Sequence, residues 1–155
     1  MKSANFIYKV LSTFFFVGYL PFIPGTFGSL AGIAVYIPIK DSGIVYPIVL
    51  LGLLAVGLKS SSRAEAIFKQ KDSPRIVIDE VCGMLLSLIF IPVSYINIIA
   101  AFMLFRLFDA IKPYPIPKLE KLNKGLGVMA DDILAGIYTN IVLQVALRLA
   151  TFTRS

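Results

Sequence analysis

A chain of 155 residues with 57% hydrophobic and only 15% charged residues, and a mean hydropathy of +0.83, departs from soluble domains, which are about 25% charged. It predicts one polytopic membrane domain. Fifteen Lys and Arg against nine Asp and Glu give a net charge of +6, but no dense basic patch with interleaved aromatics supports nucleic-acid binding; with no histidine and one cysteine, an internal disulfide is excluded and a zinc site disfavoured.

In chain order, residues 3–17 read as an amphipathic or partly buried helix with Lys2 and Lys9 at its polar end. Pro21 and Pro24 follow without a small-residue cleavage pattern, so this is not read as a removed signal peptide. LPFIPGTFGS, residues 20–29, is a Pro/Gly-rich interruption. Apolar stretches follow at about 30–39, ending in the turn KDSG, and at Ile44–Leu58. The polar segment 59–75 reads as the first true loop, with a short helix at 62–70. Ile76–Phe105 is nearly all apolar, broken by Pro92, Ser94 and Asn97, and predicts a helical hairpin. A second polar stretch covers 106–130 and a last apolar helix about 131–150. The expected fold is all-α, a compact membrane bundle with an N-terminal amphipathic helix and a broken-helix loop at PGTFGS. Several spans fall short of the roughly 20 residues that cross a hydrocarbon core, which tilt or local thinning would accommodate.

The basic residues orient this bundle. Twelve of the fifteen lie at the N-terminus (Lys2, Lys9), in the 59–75 loop and in the 106–124 stretch, whereas the turns near 40–43 and 92–97 carry only Lys40. The positive-inside rule places the N-terminus and both long loops in the cytoplasm. The same charges would attract anionic headgroups, although for Lys118, Lys121 and Lys124 solvated loop charge is the favoured reading over lipid binding.

The acids are unevenly placed. Asp41, Glu65, Asp72 and Glu120 lie in polar turns or loops and read as surface charge. Asp79 and Glu80 in VIDEVCG, Asp109 in FRLFDAIKP, and Asp131 and Asp132 in GVMADDILAG each sit where an apolar helix meets a cytoplasmic loop. Capping of a first helical turn accounts for Asp131 or Asp79. It does not account for two doublets, nor for Asp109 at a helix C-terminus, where the dipole opposes it. Five carboxylates at one membrane face repel one another unless a cation sits among them. Hard oxygen ligands suit Mg²⁺, which keeps waters and commonly bridges to phosphate. Gly83 and Gly136, placed three and four residues after Glu80 and Asp132, allow close approach.

Arg106 and Lys112 flank Asp109 at three residues on either side, either as salt-bridge partners or as ligands for phosphate oxygens. PGTFGS offers Gly25 and Gly28 for close approach, the hydroxyls of Thr26 and Ser29, and a helix N-terminus that favours an anion; no Gly-Lys-Ser/Thr follows, so it is not a P-loop. Histidine-nucleophile phosphatases are excluded, and Cys82 lacks the arginine of a cysteine-phosphatase loop and reads as core. No Asp-x-Asp-x-Thr element and no phospho-alcohol transferase pattern occurs. Metal-assisted attack of water on phosphate remains.

PGTFGS (24–29), VIDEVCG (77–83), FRLFDAIKPYPI (105–116) and GLGVMADDILAG (125–136) together resemble, in order and spacing, the bacterial phosphatidylglycerophosphatase A family, over about residues 22–140. The resemblance implies a Mg²⁺-dependent phosphatase of the cytoplasmic (inner) membrane, multi-pass and with its site facing the cytoplasm. It would convert phosphatidylglycerol phosphate to phosphatidylglycerol. Carried over by motif, Asp79, Glu80, Asp109, Asp131 and Asp132 are the metal and acid–base residues, and Arg106, Lys112, Thr26 and Ser29 the phosphate-binding ones. A related phosphate monoester is the alternative substrate. A small cation transporter is the rival outside enzymes, and it predicts acids spread through membrane depth or matched broken helices in two halves. Neither is visible here.

Overall fold

A computed structural model describes residues 2–119, 121–122 and 125–153. Glu120 and Lys124, read above as loop charges, lie outside them. Among the described residues the chain is all-helical. It comprises α1 (Lys2–Ser12), a 3-10 turn (Val17–Tyr19), α2 (Pro24–Ile39), α3 (Val45–Phe68), α4 (Ile78–Ser87), α5 (Tyr95–Ile111), the single turn α6 (Ile116–Leu119) and α7 (Gly125–Phe152).

Four expected boundaries differ, each for a local reason. The N-terminal helix stops at Ser12, where the Ser12 and Thr13 hydroxyls both bond back to the Lys9 carbonyl and compete with helix continuation. PGTFGS is not a loop: Pro24 sits at the first helical position, where its fixed φ suits a helix and its missing N–H is not needed, so the stretch forms the opening turns of α2. The break in the chain precedes it. The segment 59–75 is helical to Phe68, because KSSSRAEAIF lacks Gly and Pro and holds good helix formers; the helix ends where Lys69 turns left-handed, φ 52°, with its N–H on Glu65 O. The last helix starts at Gly125 rather than 131, which moves Asp131 and Asp132 into its second turn.

α3 and α7 are long and apolar enough to cross a membrane. At 24 and 28 residues they extend about 36 and 42 Å, against a hydrocarbon core of about 30 Å. Their outward faces, with those of α5, carry exposed stripes such as Ile99, Met103 and Leu107, or Ile141, Val145 and Leu149. The spacing of four keeps each stripe on one side.

α4 is the centre of the bundle, packed against α2, α3, α5 and α7. At ten residues it reaches only about 15 Å, so its C-terminal end stops inside the protein. The carbonyls left open there find partners on the surrounding helices. Asn140 Nδ2 of α7 donates to Ser87 O and Ile89 O at 3.1 and 2.7 Å, and the Tyr46 hydroxyl of α3 donates to Leu85 O. α4 and α7 meet through glycines: a Cβ on Gly136 would lie 2.4 Å from Gly83 O. Around this contact Val81, Met84, Leu85, Phe105 and Ala135 form the buried core.

Candidate active site

Four helix ends converge at one end of the bundle, opposite the 40–44 and 88–94 connections. They are the N-termini of α2, α4 and α7 and the C-terminus of α5. Each brings one of the sequence motifs, and the chemistry-bearing side chains meet there.

Asp79 and Glu80 occupy the first turn of α4 after the N-cap position Val77. Asp79 Oδ1 accepts the Glu80 N–H at 3.1 Å, so capping explains part of its placement. Asp132 reaches the same point from α7. Carboxylate oxygens of Asp79, Glu80 and Asp132 all lie within 4.8 Å of one another, and the two aspartates are buried. Neither α7 aspartate caps its helix, since both lie beyond the four open N–H groups of the first turn. Burial holds the Asp79 carboxyl well above the usual carboxylate range, and the charges of Glu80, Asp132 and Asp131 push the same way.

The remaining two acids are held by cations. Arg106 Nη1 lies 2.7 Å from Asp109 Oδ2 within α5. Lys112 Nζ lies 3.0 Å from Asp131 Oδ2 and donates a hydrogen bond to it. The five acids thus separate into a close triad and two ion pairs beside it. Glu80 Oε2, Asp131 Oδ1 and Asp132 Oδ1 are buried without a hydrogen-bond partner. Buried carboxylate oxygens left open in this way are costly, and a hard cation is the partner their chemistry fits.

The α2 motif enters through its backbone. A Cβ on Gly25 would lie 2.5 Å from Glu80 Oε1 and 3.2 Å from Arg106 Nη1, and one on Gly28 would lie 2.9 Å from Val77 Cβ. A side chain at 25 would displace the ends of Glu80 and Arg106, and one at 28 would meet Val77. Ser29 is buried with its hydroxyl on Gly25 O at 3.0 Å; Thr26, half-buried, lies in the turn that touches Glu80 and Arg106. Cys82 packs in the core beside Ile78 and Met129.

Two contributors were not anticipated. Ser62 of α3 accepts the Gly125 N–H at 3.0 Å and fixes the start of α7; the run of three serines at 60–62 was the only signal for it. Asn140, an amide in an apolar helix whose Oδ1 accepts from Gln144 Nε2 at 2.8 Å, caps the C-terminal end of α4. A cavity of about 370 Å³ lined by Tyr36, Lys40, Tyr46 and Leu88 lies at the opposite end and takes no part in the carboxylate site.

A family profile described as Phosphatidylglycerophosphatase A matches residues 10–147. The chain is 41% identical to a Haemophilus influenzae protein named Phosphatidylglycerophosphatase A, over 77% of this chain and 76% of that one. It is 32% identical to an Escherichia coli protein of the same name, over 92% and 84%. A Bacteroides thetaiotaomicron protein named provisionally as a phosphatidylinositol-3-phosphatase is 36% identical over 94% of this chain and 97% of its own. No solved structure matches.

Proposed function

Because the chain belongs to the phosphatidylglycerophosphatase A family, we propose that it removes the terminal phosphate of phosphatidylglycerol phosphate at the Asp79–Glu80–Asp132 cluster. The observation that carries this reading is three carboxylates within 4.8 Å of one another, with two of them presenting buried oxygens that lack partners. These three residues would hold Mg²⁺, which would neutralise phosphate charge and lower the pKa of a bound water.

The protein's own groups take the other roles. Arg106 and Lys112 bring positive charge to the edge of the cluster, where they donate to phosphate oxygens. They stabilise charge as it develops on those oxygens, and such electrostatic stabilisation, with positioning, supplies most of the catalysis of phosphoryl transfer. The glycine at 25 lets the opening turn of α2 lie directly against Glu80 and Arg106, so that its backbone helps to fix where they stand. Asp131 Oδ1, unpartnered while Oδ2 is held by Lys112, takes the proton released as water adds to phosphorus and returns it to the lipid oxygen as its bond to phosphorus breaks, so that phosphatidylglycerol and inorganic phosphate leave.

In this reading α3 and α7 cross the cytoplasmic membrane. The carboxylate end faces the cytoplasm, because Lys9, Arg63, Lys69, Lys71, Arg75, Lys112, Lys118 and Lys121 surround it, whereas Lys40 and Arg148 mark the other end. A phosphoinositide is a second candidate substrate, favoured by the name of the Bacteroides thetaiotaomicron relative. Phosphate release from both lipids in detergent, with and without Mg²⁺, separates the two. Mg²⁺-dependent release from phosphatidylglycerol phosphate that Asp132→Asn abolishes supports the proposal; faster release from the phosphoinositide transfers the activity to that head group. No release from either lipid under any divalent cation refutes the phosphatase.

A further inference from the structure

The segment joining α1 to α2 is built against its own backbone preferences. Phe14, Phe15 and Phe16 are consecutively left-handed, with φ of 43°, 53° and 69°, and Phe22 follows at 75°. Bulky L-residues rarely adopt this conformation, and none of the four is glycine. Phe14 packs partly against the core, whereas the other three rings turn outward. Phe22 is 97% exposed, and Phe15, Phe16, Tyr19, Leu20 and Ile23 are exposed as well. Folding of the chain alone gives no return for a strained segment that displays six large apolar side chains to water.

Cations accompany the rings. Lys9 Nζ and the Arg75 guanidinium lie 5.1 and 5.4 Å from the centroid of the Tyr19 ring, and Tyr19 in turn neighbours Phe16 at 6.1 Å. Exposed aromatics interleaved with Lys and Arg match the chemistry of an anionic bilayer surface, where rings sit at headgroup level and cations meet lipid phosphates. The segment is firmly anchored: Val77 N–H donates to Ser12 O at 3.0 Å, and a Cβ on Gly18 would lie 2.0 Å from Arg75 O. It also leads directly into the site, since Ile23 is followed by Pro24 and by Gly25 against Glu80 and Arg106.

We propose that residues 14–23 form an interfacial ledge that lies in the headgroup layer of an anionic bilayer and presents membrane-resident phosphomonoester lipids to the carboxylate cluster. The presenting role rests on the lipid-phosphatase reading; the position of the ledge does not. Selectivity for a bilayer lipid over a soluble phosphomonoester then resides in the ledge rather than in the acids.

The chain has no tryptophan, so Phe16→Trp and Phe22→Trp each create a single fluorophore. In vesicles of phosphatidylglycerol and phosphatidylcholine, each probe is expected to emit blue-shifted light. Lipids brominated high on the acyl chain should quench it more strongly than lipids brominated near the chain end, and aqueous acrylamide only weakly. Strong acrylamide quenching with no effect of brominated lipid overturns the ledge, whether or not the protein is a phosphatase. The presenting role is read separately with Phe22→Ser, as turnover on vesicle-borne phosphatidylglycerol phosphate relative to a short-chain, monomerically soluble analogue. That ratio should fall about tenfold, the order expected for losing one interfacial aromatic. An unchanged ratio overturns the presenting role.

Discussion

Lys112 Nζ and Asp131 Oδ2 lie 3.0 Å apart, joining the left-handed C-terminus of α5 to the second turn of α7. The aspartate side chain is 8% exposed and the lysine 27%, so the contact is more than a surface ion pair. The other carboxylate oxygen, Oδ1, remains open.

Removing the lysine therefore has two separable effects. Lys112→Met leaves a buried carboxylate without its cation and should destabilise the protein by about 2 kcal/mol, below the full cost of breaking a deeply buried pair because the lysine is partly solvated. Activity should fall about a hundredfold from the lost phosphate donor. The double variant Lys112→Met/Asp131→Asn should recover most of the stability and none of the activity. Thermal unfolding in detergent and phosphate release measure the two; full recovery of activity would return the pair to a structural role.

Gly25 tests the close contact of α2 with Glu80 and Arg106. An alanine there suits a first helical turn at least as well as glycine, so the thermal midpoint should barely move. Its Cβ, however, would lie 2.5 Å from Glu80 Oε1 and close to both terminal nitrogens of Arg106. Gly25→Ala should cost at least about a hundredfold in kcat/KM, since misplacement by about 1 Å has that effect. Near-normal kinetics would show that α2 does not shape the phosphate position.

The all-helical class and the clustering of Asp79, Glu80, Asp109, Asp131 and Asp132 at one end were legible in the sequence, because acids are scarce and each stands at the edge of an apolar run. Helix ends were less legible. Polarity marks where a helix leaves the membrane, not where it stops; α3 accordingly runs through Lys59 and Arg63 to Phe68, and α7 begins before its apolar stretch. Long-range pairing was hidden as well. The Arg106–Asp109 pair was open to local reading from its spacing of three, but nothing local tells that Lys112 takes Asp131 rather than Asp109, or that Asn140 caps a helix more than fifty residues earlier. The Asn140 contacts follow from α4 ending inside the bundle, and the Lys112 pair from the approach of the α5 end to α7, both tertiary facts.

The glycine contact between α4 and α7 sets how closely the acids approach. A Cβ on Gly136 would lie 2.4 Å from Gly83 O, a backbone atom that cannot rotate away. Gly136→Ala should separate the helices, destabilise by about 1–3 kcal/mol and displace Asp132 from Asp79 and Glu80, with loss of activity. Gly52→Ala is the contrast. No atom lies within 4 Å of its Cβ position, so on an exposed face of α3 it should stabilise by about 0.5–1 kcal/mol. Equal effects of the two substitutions on thermal unfolding would contradict this packing.

Crowded carboxylates make the proposed role of Mg²⁺ testable without any substrate. Asp79, Glu80 and Asp132 repel one another and are desolvated, so the metal-free protein carries a cost that a bound cation removes. Mg²⁺ at a hundred times its dissociation constant should add about 2.7 kcal/mol, which for a chain of this size shifts the thermal midpoint by roughly 5–10 °C. Asp132→Asn should act with opposite signs in the two states. It relieves repulsion and raises the midpoint of the metal-free protein, while removing most of the shift on adding Mg²⁺. Asp41→Asn, in the exposed turn at the other end, should leave the Mg²⁺ shift intact. A Mg²⁺ shift that survives Asp132→Asn would place the cation elsewhere, and its absence in the wild type would remove Mg²⁺ from the cluster.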